Sequence, residues 1–344
     1  MDSRARDAVQ VAGDLVGLHG TDPASVFLAA AARIDGADVS GMERAMYDDR
    51  TLVRILGMRR TMFVVPVDLA GVIQASCTRE IAARERRNTL DLFERAGLAD
   101  DPRTYLEDLE ASALRILTIR GGAVAVELGA DDPRLRQEVV VPGANTYGGH
   151  QYVVSRVLFL LAADGRVVRG RPRGSWISSQ YRWSTAESWL GGRLPERTVD
   201  EARVDLVRRW LAAFGPGTEA DIKWWTGWTL GQVRRALAEI GPAEVDLYGT
   251  AGLALPDDLE PTIPPEPWIA LLPALDPTVM GWAAREWYLG EHRTALFDRN
   301  GNAGPTIWCD GRVVGGWAST STGVVTRLFE DIGTESAAAV DAEA

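Results

Sequence analysis

Hydrophobic and polar positions along the first third of the chain change from a helical to an extended pattern. Residues 3–17, 24–34 and 42–47 repeat apolar side chains at helical spacing, and the second of these stretches follows the start signal Asp22-Pro23. Residues 52–65 are then rich in β-forming side chains. Three short helices followed by a β-ribbon is the element order of a winged helix.

A second stretch, between residues 102 and 183, repeats this order. Helices are predicted over residues 105–119 and 152–163, with a loop at 142–149 between them. Two alternating segments follow, Gly165–Gly170 and Gly174–Trp183, and their pattern predicts the paired strands of a wing.

The third stretch has the clearest start and stop signals. A helix over 199–214 is broken by Gly215-Pro216-Gly217, and Thr218 is placed to cap a helix that runs to Trp225. After a turn at Gly227, Thr229 begins a helix over 230–240. A helix, a short turn with glycine and a second helix form the helix-turn-helix pattern.

The C-terminal part of the chain has a different pattern from the three helical stretches before it. Residues 256–267 are rich in proline and predict a linker, and the chain beyond them is mostly β, with a hairpin turn at Asp310-Gly311. The sequence thus predicts an α+β, mostly helical protein. Its predicted parts are winged-helix units over 1–100, 101–195 and 196–255, a linker and β-rich region over 256–335, and a disordered tail over 336–344.

Composition narrows the class of protein. The 344 residues are 46% hydrophobic and 25% charged. No apolar run is long enough to span a bilayer, and the N-terminal residues lack an apolar signal core, so we expect a cytoplasmic protein. Cys77 and Cys309 are far apart and lack metal-ligand spacing, which favours buried thiols and no metal or other cofactor. Neither a phosphate-binding loop nor a nucleophile elbow occurs.

The net charge of −11 argues against nucleic acid as a partner, but the distribution of charge does not. All of the 37 basic residues except Lys223 are arginine, and the stretch from Arg166 to Arg182 holds five arginines and no acid. The arginine fork suits phosphate and guanine recognition. A compositional bias of the genome explains the same excess of arginine, and both explanations stay open.

The candidate DNA-binding residues lie in the first two predicted wings and in the predicted helix over 230–240, which has the position of a recognition helix. They are Arg59, Arg60, Arg166, Arg169, Arg171, Arg173, Trp176, Tyr181, Arg182, Arg234 and Arg235. The arginines can contact phosphates, and an aromatic side chain can stack on a base or act as a wedge. The alternative is that the aromatic residues pack within their own wing.

Four strings in this order resemble a known bacterial family. They are Gly17-Leu18-His19-Gly20-Thr21-Asp22-Pro23, Arg59-Arg60-Thr61-Met62-Phe63-Val64-Val65-Pro66, Phe214-Gly215-Pro216-Gly217-Thr218-Glu219-Ala220-Asp221 and Phe297-Asp298-Arg299-Asn300-Gly301-Asn302-Ala303-Gly304-Pro305-Thr306. The chain resembles, over roughly residues 5–330, the winged-helix DNA-binding family that includes the azinomycin-resistance and interstrand-crosslink DNA glycosylases.

The resemblance implies a C-shaped arrangement of tandem winged helices closed by a small β-rich region, with double-stranded DNA as partner. Members of known activity remove bulky N7-alkylguanine adducts or unhook crosslinks without a metal. Their catalytic pair follows Gly-Leu as Gln-x-Gln or Gln-x-Asp. Here those two positions are His19 and Thr21, so this chain departs from the family pattern at both.

The chemistry of base excision can still use these side chains. An N7-alkylated guanine is already cationic and leaves without a general acid, so the enzyme must stabilise an oxocarbenium-like sugar and position a water. His19 could hold or deprotonate that water, with Thr21 assisting. Asp22 could stabilise the charged sugar or orient His19, and the alternative is that it caps the helix beginning at Pro23.

Two functions therefore remain open from the sequence: a monofunctional DNA glycosylase for bulky or cationic purine adducts, or a non-catalytic winged-helix DNA-binding protein or regulator. We expect a monomer in both cases. Catalysis by His19 requires an open face in a concave basic cleft, whereas binding alone permits a packed His19 that hydrogen-bonds its own loop. His150 and His292 are interpreted as surface or capping residues.

Overall fold

The chain folds into two compact units, each assembled from segments that are distant in sequence. The computed structural model describes residues 4–141, 149–192, 194–263 and 265–344, so most of the predicted loop at 142–149 and Pro264 of the linker lie outside the described residues. The first unit comprises Met1–Met42, Phe63–Val65 and Arg203–Ala344, and the second comprises Glu43–Met62 and Pro66–Ala202. These units cut across the predicted consecutive domains, whose boundaries stay a prediction.

The secondary structure is α+β with small antiparallel sheets, which confirms the predicted class at that level. The helices are α1 (Ala8–Asp14), α2 (Pro23–Ala31), α3 (Val39–Glu43), α4 (Val67–Ile73), α5 (Arg79–Arg95), α6 (Pro102–Arg120), α7 (Ala125–Asp131), α8 (Val153–Ala163), α9 (Ala186–Leu190), α10 (Val199–Phe214), α11 (Glu219–Thr226), α12 (Leu230–Ile240), α13 (Glu286–Leu289), α14 (Arg293–Leu296) and α15 (Thr334–Glu343). The strands are β1 (Leu18–His19), β2 (Leu52–Leu56), β3 (Met62–Pro66), β4 (Glu138–Val141), β5 (Gly149–Tyr152), β6 (Val167–Pro172), β7 (Tyr181–Thr185), β8 (Ala243–Leu247), β9 (Thr250–Ala254), β10 (Ile269–Leu272), β11 (Thr306–Cys309), β12 (Arg312–Thr320) and β13 (Gly323–Leu328).

Helices α11 and α12 of the first unit begin where their capping residues require. The Thr218 and Thr229 side chains accept hydrogen bonds from the backbone N–H groups of Asp221 and Gln232, and those two side chains accept in return from the threonine N–H groups. Such reciprocal capping satisfies donors that a helix start leaves unpaired. The predicted helix starts are therefore confirmed.

Asp221 also connects α11 to the C-terminal part of the first unit. Its Oδ1 accepts hydrogen bonds from the N–H groups of Ala283 at 2.8 Å and Ala284 at 3.1 Å, and its side chain is buried. Two oxygens of one carboxylate thus hold a helix start and a loop more than 60 residues away.

A four-stranded sheet in the order β10-β11-β12-β13 forms the C-terminal part of the first unit. The predicted hairpin is confirmed: Cys309 is opposite Arg312, and Asp310 and Gly311 both have positive φ, 48° and 83°. Two positive φ angles in a two-residue loop match the right-handed twist of the paired strands, which explains the Asp-Gly pair.

The predicted disordered tail over 336–344 is wrong, because Thr334–Glu343 is helix α15. Val340 is 1% exposed and packs with Ile307 and Val314 of the sheet. The stretch is rich in alanine, a strong helix former, and one apolar side chain anchors it to the sheet. Composition alone pointed to disorder because it carries no information about that contact.

The second unit is built on helices α5, α6 and α8 and two hairpins, β4–β5 and β6–β7. Asp101 caps α6, Pro102 follows at its first position, and Gly121 ends it in the left-handed conformation. Leu109, Leu128 and Leu160 are fully buried in the core of this unit. The predicted pair of strands is present as β6–β7, with Val167 opposite Thr185.

Asp132 of the second unit provides a pH-dependent contribution to stability. The Arg134 guanidinium, with help from the Ser112 hydroxyl, holds the pKa of the Asp132 carboxyl down at about 2. The folded-state pKa lies below the unfolded value, so this stabilisation is present above pH 4 and is lost as the pH falls through 2.

We expect Asp132→Asn to destabilise the protein at pH 7 by about 1.5 to 3 kcal/mol, as removal of a hydrogen bond to a charged group does. The deficit should shrink toward pH 2, where wild-type Asp132 is itself protonated. Urea unfolding at pH 7 and pH 2.5 measures both values; an equal deficit at the two pH values would contradict this role of the carboxylate.

Candidate functional site

Strand β1 is held in place by a strained turn in front of it. Val16 is buried with a φ of 53°, and Gly17 follows with a φ of 107°. A β-branched residue at positive φ is a true outlier, and such strain concentrates at functional sites. At Gly17 a Cβ atom would lie 2.8 Å from Val65 Cγ1, so glycine is required by space as well as by φ.

His19 is buried, and that differs from the open face that direct catalysis requires. It lies opposite Phe63 in the β1–β3 pair and is 5% exposed. Its ring centroid is 5.4 Å from that of Phe63, with the planes inclined by 53°. The sequence left both possibilities open, because a His after Gly-Leu has the same local pattern in a loop or a packed strand.

Thr21 and Asp22 follow β1 and are both exposed. Asp22 is the N-cap of α2: its Oδ2 accepts from the Ser25 N–H at 2.9 Å and from the Ser25 hydroxyl at 2.7 Å, with Pro23 at the first helical position. The structure therefore shows the capping alternative for Asp22, and the exposed Thr21 lies just before this helix start.

Two substitutions at Asp22 distinguish its role as a helix cap from a role as a catalytic charge. Asp22→Asn keeps a cap oxygen and removes the charge, so we expect near-normal stability, whereas Asp22→Ala should cost about 1 kcal/mol. Thermal unfolding measures this difference. If base release by the Asn variant also matches the wild-type rate, the carboxylate charge has no part in the chemistry; a collapse of release in the Asn variant alone would restore a catalytic role.

Several predicted DNA-binding arginines are occupied by acidic partners within their own unit. These pairs are Arg60 Nε with Glu85 Oε1 at 3.0 Å, Arg171 Nη1 with Glu43 Oε2 at 2.8 Å, Arg182 Nη1 with Glu127 Oε2 at 3.8 Å, and Arg234 Nε with Glu219 Oε2 at 3.0 Å. Arg182 also donates to the Gly122 carbonyl. Ion pairing reduces the charge that each of these side chains offers to a phosphate.

The remaining predicted arginines differ in exposure. Arg166, Arg173 and Arg235 are exposed, whereas Arg59 is half-buried in a turn where it and Arg60 have φ values of 53° and 62°. Trp176 is half-buried beside the wing strands. The charges of Arg166, Arg173 and Arg235 are therefore more available to DNA than those of the ion-paired arginines.

Arg169 and Tyr181 belong to a cluster that the sequence only partly revealed. The arginine–tyrosine cluster consists of Tyr47, Arg54, Arg169, Arg171, Tyr181 and Trp183. Tyr47 and Arg54 were missed. A signal existed for Arg54, because it is a charged residue in the middle of the apolar strand Leu52–Leu56, where it is 5% exposed.

The other histidines and the cysteines have the expected surroundings. His150 Nδ1 lies 3.1 Å from Glu138 Oε2 on an exposed hairpin, and His292 Nε2 lies 3.5 Å from Glu330 Oε2. Cys77 and Cys309 are buried thiols. Among the residues that the structure describes, no group of three His, Cys, Asp or Glu side chains is placed to hold a metal ion. None of the helices described is both long and apolar enough to cross a bilayer.

Comparison with known proteins agrees with the predicted resemblance. The family model described as "DNA glycosylase AlkZ-like" matches residues 12–344. An interstrand DNA cross-link repair glycosylase of Streptomyces sahachiroi is 29% identical over 198 residues, which is 55% of this chain and 52% of that protein, so the match spans about half of the relative.

The fold also matches a solved structure. The DNA glycosylase AlkZ of Streptomyces sahachiroi superposes with a TM-score of 0.73 at 24% identity, covering 99% of this chain and 90% of that one. This likeness establishes the fold, and the family model extends over most of the sequence. The chain belongs to the AlkZ-like DNA glycosylase family.

Proposed function

We propose that this protein is a metal-independent DNA glycosylase that hydrolyses the N-glycosidic bond of bulky or cationic N7-alkylpurine adducts in duplex DNA. The observation that carries this proposal is the match to the AlkZ-like DNA glycosylase family over residues 12–344. The name of a relative, an interstrand DNA cross-link repair glycosylase, supports damaged DNA as the substrate. The N7-alkylpurine class is what the family resemblance implies.

The geometry of β1 supports different roles for His19 and Thr21. Thr21 is exposed and lies between a paired strand and a capped helix, so its hydroxyl can hold a water against the anomeric carbon. The buried His19 ring packs on Phe63 and helps to fix strand β1, which Thr21 follows by two residues. We therefore assign Thr21 the contact with water and His19 a positioning role.

Three helix–hairpin sequences support tandem winged-helix units. Helices α1 to α3 precede β2 and β3, α6 to α8 precede the β6–β7 hairpin, and α10 to α12 precede the β8–β9 hairpin. In the second and third cases the two strands that follow the helices pair antiparallel, an order compatible with DNA-binding helix-turn-helix variants that carry a wing. We propose that the wings and α12 face DNA, with Arg166, Arg173 and Arg235 on phosphates.

The net charge of −11 and the ion-paired arginines fit weak binding to undamaged DNA. In this proposal the protein relies on the distorted backbone at a lesion for most of its specificity. Affinity for plain duplex should fall with rising salt, because each phosphate contact releases counterions.

The burial of His19 and the departure from the family's catalytic pair favour a second candidate, a non-catalytic winged-helix DNA-binding protein. Base release distinguishes the two. The wild-type chain is incubated with duplex DNA carrying N7-methylguanine or a bulkier N7 adduct, and abasic sites are cleaved and resolved on a gel. Excision supports the glycosylase; binding to the same duplexes without excision of any adduct supports the second candidate.

A further inference from the structure

A series of aromatic rings leads from His19 into the helices of the first unit. The His19 ring centroid lies 5.4 Å from that of Phe63, which lies 6.5 Å from that of Trp225, with the planes inclined by 53° and 54°. Trp225 in turn lies 6.2 Å from Phe214. These separations are typical of aromatic pairs that attract each other in protein cores. Strand β1 is therefore connected through side chains to β3, α11 and α10.

The rings of this series have little room to shift. Phe63, Trp225 and Phe214 are all buried. The Phe214 carbonyl accepts a hydrogen bond from the Trp282 indole N–H at 3.0 Å, and the two rings meet edge to face at 5.5 Å. Gly281 lies against the same ring, since a Cβ there would be 2.7 Å from Phe214 Cδ1. An interior packed this closely transmits a displacement and does not absorb it.

Strand β1 depends on side-chain packing more than a long strand would. It has only two residues, Leu18 and His19, which lie opposite Val64 and Phe63 of β3. Such a pair is shorter than most strands, so contacts between facing side chains supply much of what fixes its position. Thr21 follows β1 directly before the start of α2, and its position depends on the same contacts.

Trp225 brings this packing to the third helix–hairpin sequence. It lies in the last turn of α11, which packs against α12. Helix α12 begins after the turn at Gly227 and is the helix that we propose faces DNA. Trp225 thus connects the proposed DNA-binding pair of helices to the strand that precedes Thr21.

We propose that Trp225, acting through Phe63, is a positioning residue for base excision. It holds β1 and the following Thr21 at a fixed place relative to α11 and α12, so that contact of α12 with the DNA places Thr21 at the sugar of the lesion. A misplacement of about 1 Å at a reacting centre can lower a rate about 100-fold, so a remote side chain can control excision without touching DNA. This inference rests on the proposed function, because it names a residue on which that activity depends.

The experiment measures single-turnover release of N7-methylguanine from duplex DNA, with full-length protein in excess over a range of concentrations. This range gives the maximal rate and the half-saturating concentration separately. Trp225→Leu removes the ring, and Trp225→Phe keeps one. Trp210→Leu is the matched control, because Trp210 is a fully buried tryptophan that contacts Phe214 at 6.0 Å and lies further from His19 in the series. Circular dichroism and thermal unfolding show whether each variant is folded.

We expect Trp225→Leu to lower the maximal rate at least about tenfold, with the half-saturating concentration within about threefold of wild type. Trp225→Phe should stay within about threefold of the wild-type rate, and Trp210→Leu should lose stability without a comparable loss of rate. If the leucine variant does not fold, Trp225→Met, which is longer and adapts to irregular space, takes its place with the same expected loss.

Three results would overturn the inference or its basis. An unchanged maximal rate in the folded Trp225 variant, whatever its half-saturating concentration, would remove the positioning role and leave the glycosylase proposal intact. An equal loss of rate in Trp210→Leu would show a general loosening of the core and would remove it as well. Wild type that binds adducted duplex and releases no base would remove the proposed function, and the inference with it.

A double-variant cycle tests the route through Phe63. Phe63→Leu breaks the same contact from the β3 side, so Phe63→Leu and Trp225→Leu together should slow release little more than the slower of the two single variants does. Losses that multiply in the double variant would show that Trp225 acts independently of Phe63 and would overturn this route.

Discussion

Thr21→Ala is expected to slow release of an N7-alkylpurine by about 100-fold under single-turnover conditions, the usual cost of removing one positioned hydrogen-bonding group at a reacting centre. Thr21 is exposed and lies between the paired strand β1 and the capped helix α2. The loss should appear in the rate and not in the affinity for adducted DNA, because in the proposed mechanism the hydroxyl holds the water and not the DNA backbone.

Matched variants make this prediction specific. Thr21→Ser keeps the hydroxyl and should retain a rate close to that of wild type, whereas Thr21→Val keeps the shape and should behave like Thr21→Ala. Equal rates for all four proteins would exclude Thr21 from the mechanism.

His19 provides a second test of the same site. A positioning residue that is buried against Phe63 should tolerate another side chain that packs in its place, so His19→Gln, which restores the first residue of the family pattern, should retain release. Loss of release by a folded His19→Gln protein that still binds adducted DNA as the wild type does would show that the imidazole acts directly.

Breaking the Arg33–Asp276 pair should destabilise the protein by about 3 to 5 kcal/mol, since removal of one partner leaves a buried charge uncompensated. Arg33 Nη1 and Nη2 donate to the two Asp276 oxygens at 2.9 and 2.8 Å, and Nη2 also donates to the Thr278 hydroxyl. The Asp276 side chain is 0% exposed and that of Arg33 is 11% exposed. This fork links α2, directly after the candidate catalytic segment, to the C-terminal part of the first unit.

The chain offers a matched control for this ion pair. Arg4 pairs with Asp35 at 3.2 Å, but the two side chains are 38% and 80% exposed, so Arg4→Met should change stability by less than about 1 kcal/mol. Arg33→Met and the double variant Arg33→Met/Asp276→Asn complete the urea-unfolding series, and the double variant should recover much of the loss. A deficit for Arg33→Met no larger than that for Arg4→Met would contradict the prediction.

Features that depend on neighbouring residues can be predicted from the sequence. The starts of α11 and α12 follow from Thr218 and Thr229, whose capping partners are three residues away. The turn at Asp310-Gly311 follows from two residues that tolerate positive φ. The family also follows from short strings of adjacent residues, and the match over residues 12–344 confirms it.

The same local signals could not decide which arginines remain available to DNA. Arg60 is paired with Glu85, and Arg171 is paired with Glu43, 128 positions away in sequence. The Arg54 and Arg169 guanidinium groups both contact the Tyr181 ring because strand β2 packs beside the β6–β7 hairpin within the second unit. Contacts between residues this far apart in sequence produce no periodic pattern of residue types.

The sequence by itself thus determined the helix caps, the hairpin turn, the family and the positions that replace the family's catalytic pair. Only the tertiary structure decided that His19 is buried, that the last residues form a helix, and that Arg54 and Arg169 converge on Tyr181. The physical reason is range: capping and turn energies arise between residues a few positions apart, whereas burial and ion pairing depend on which distant segments pack against each other.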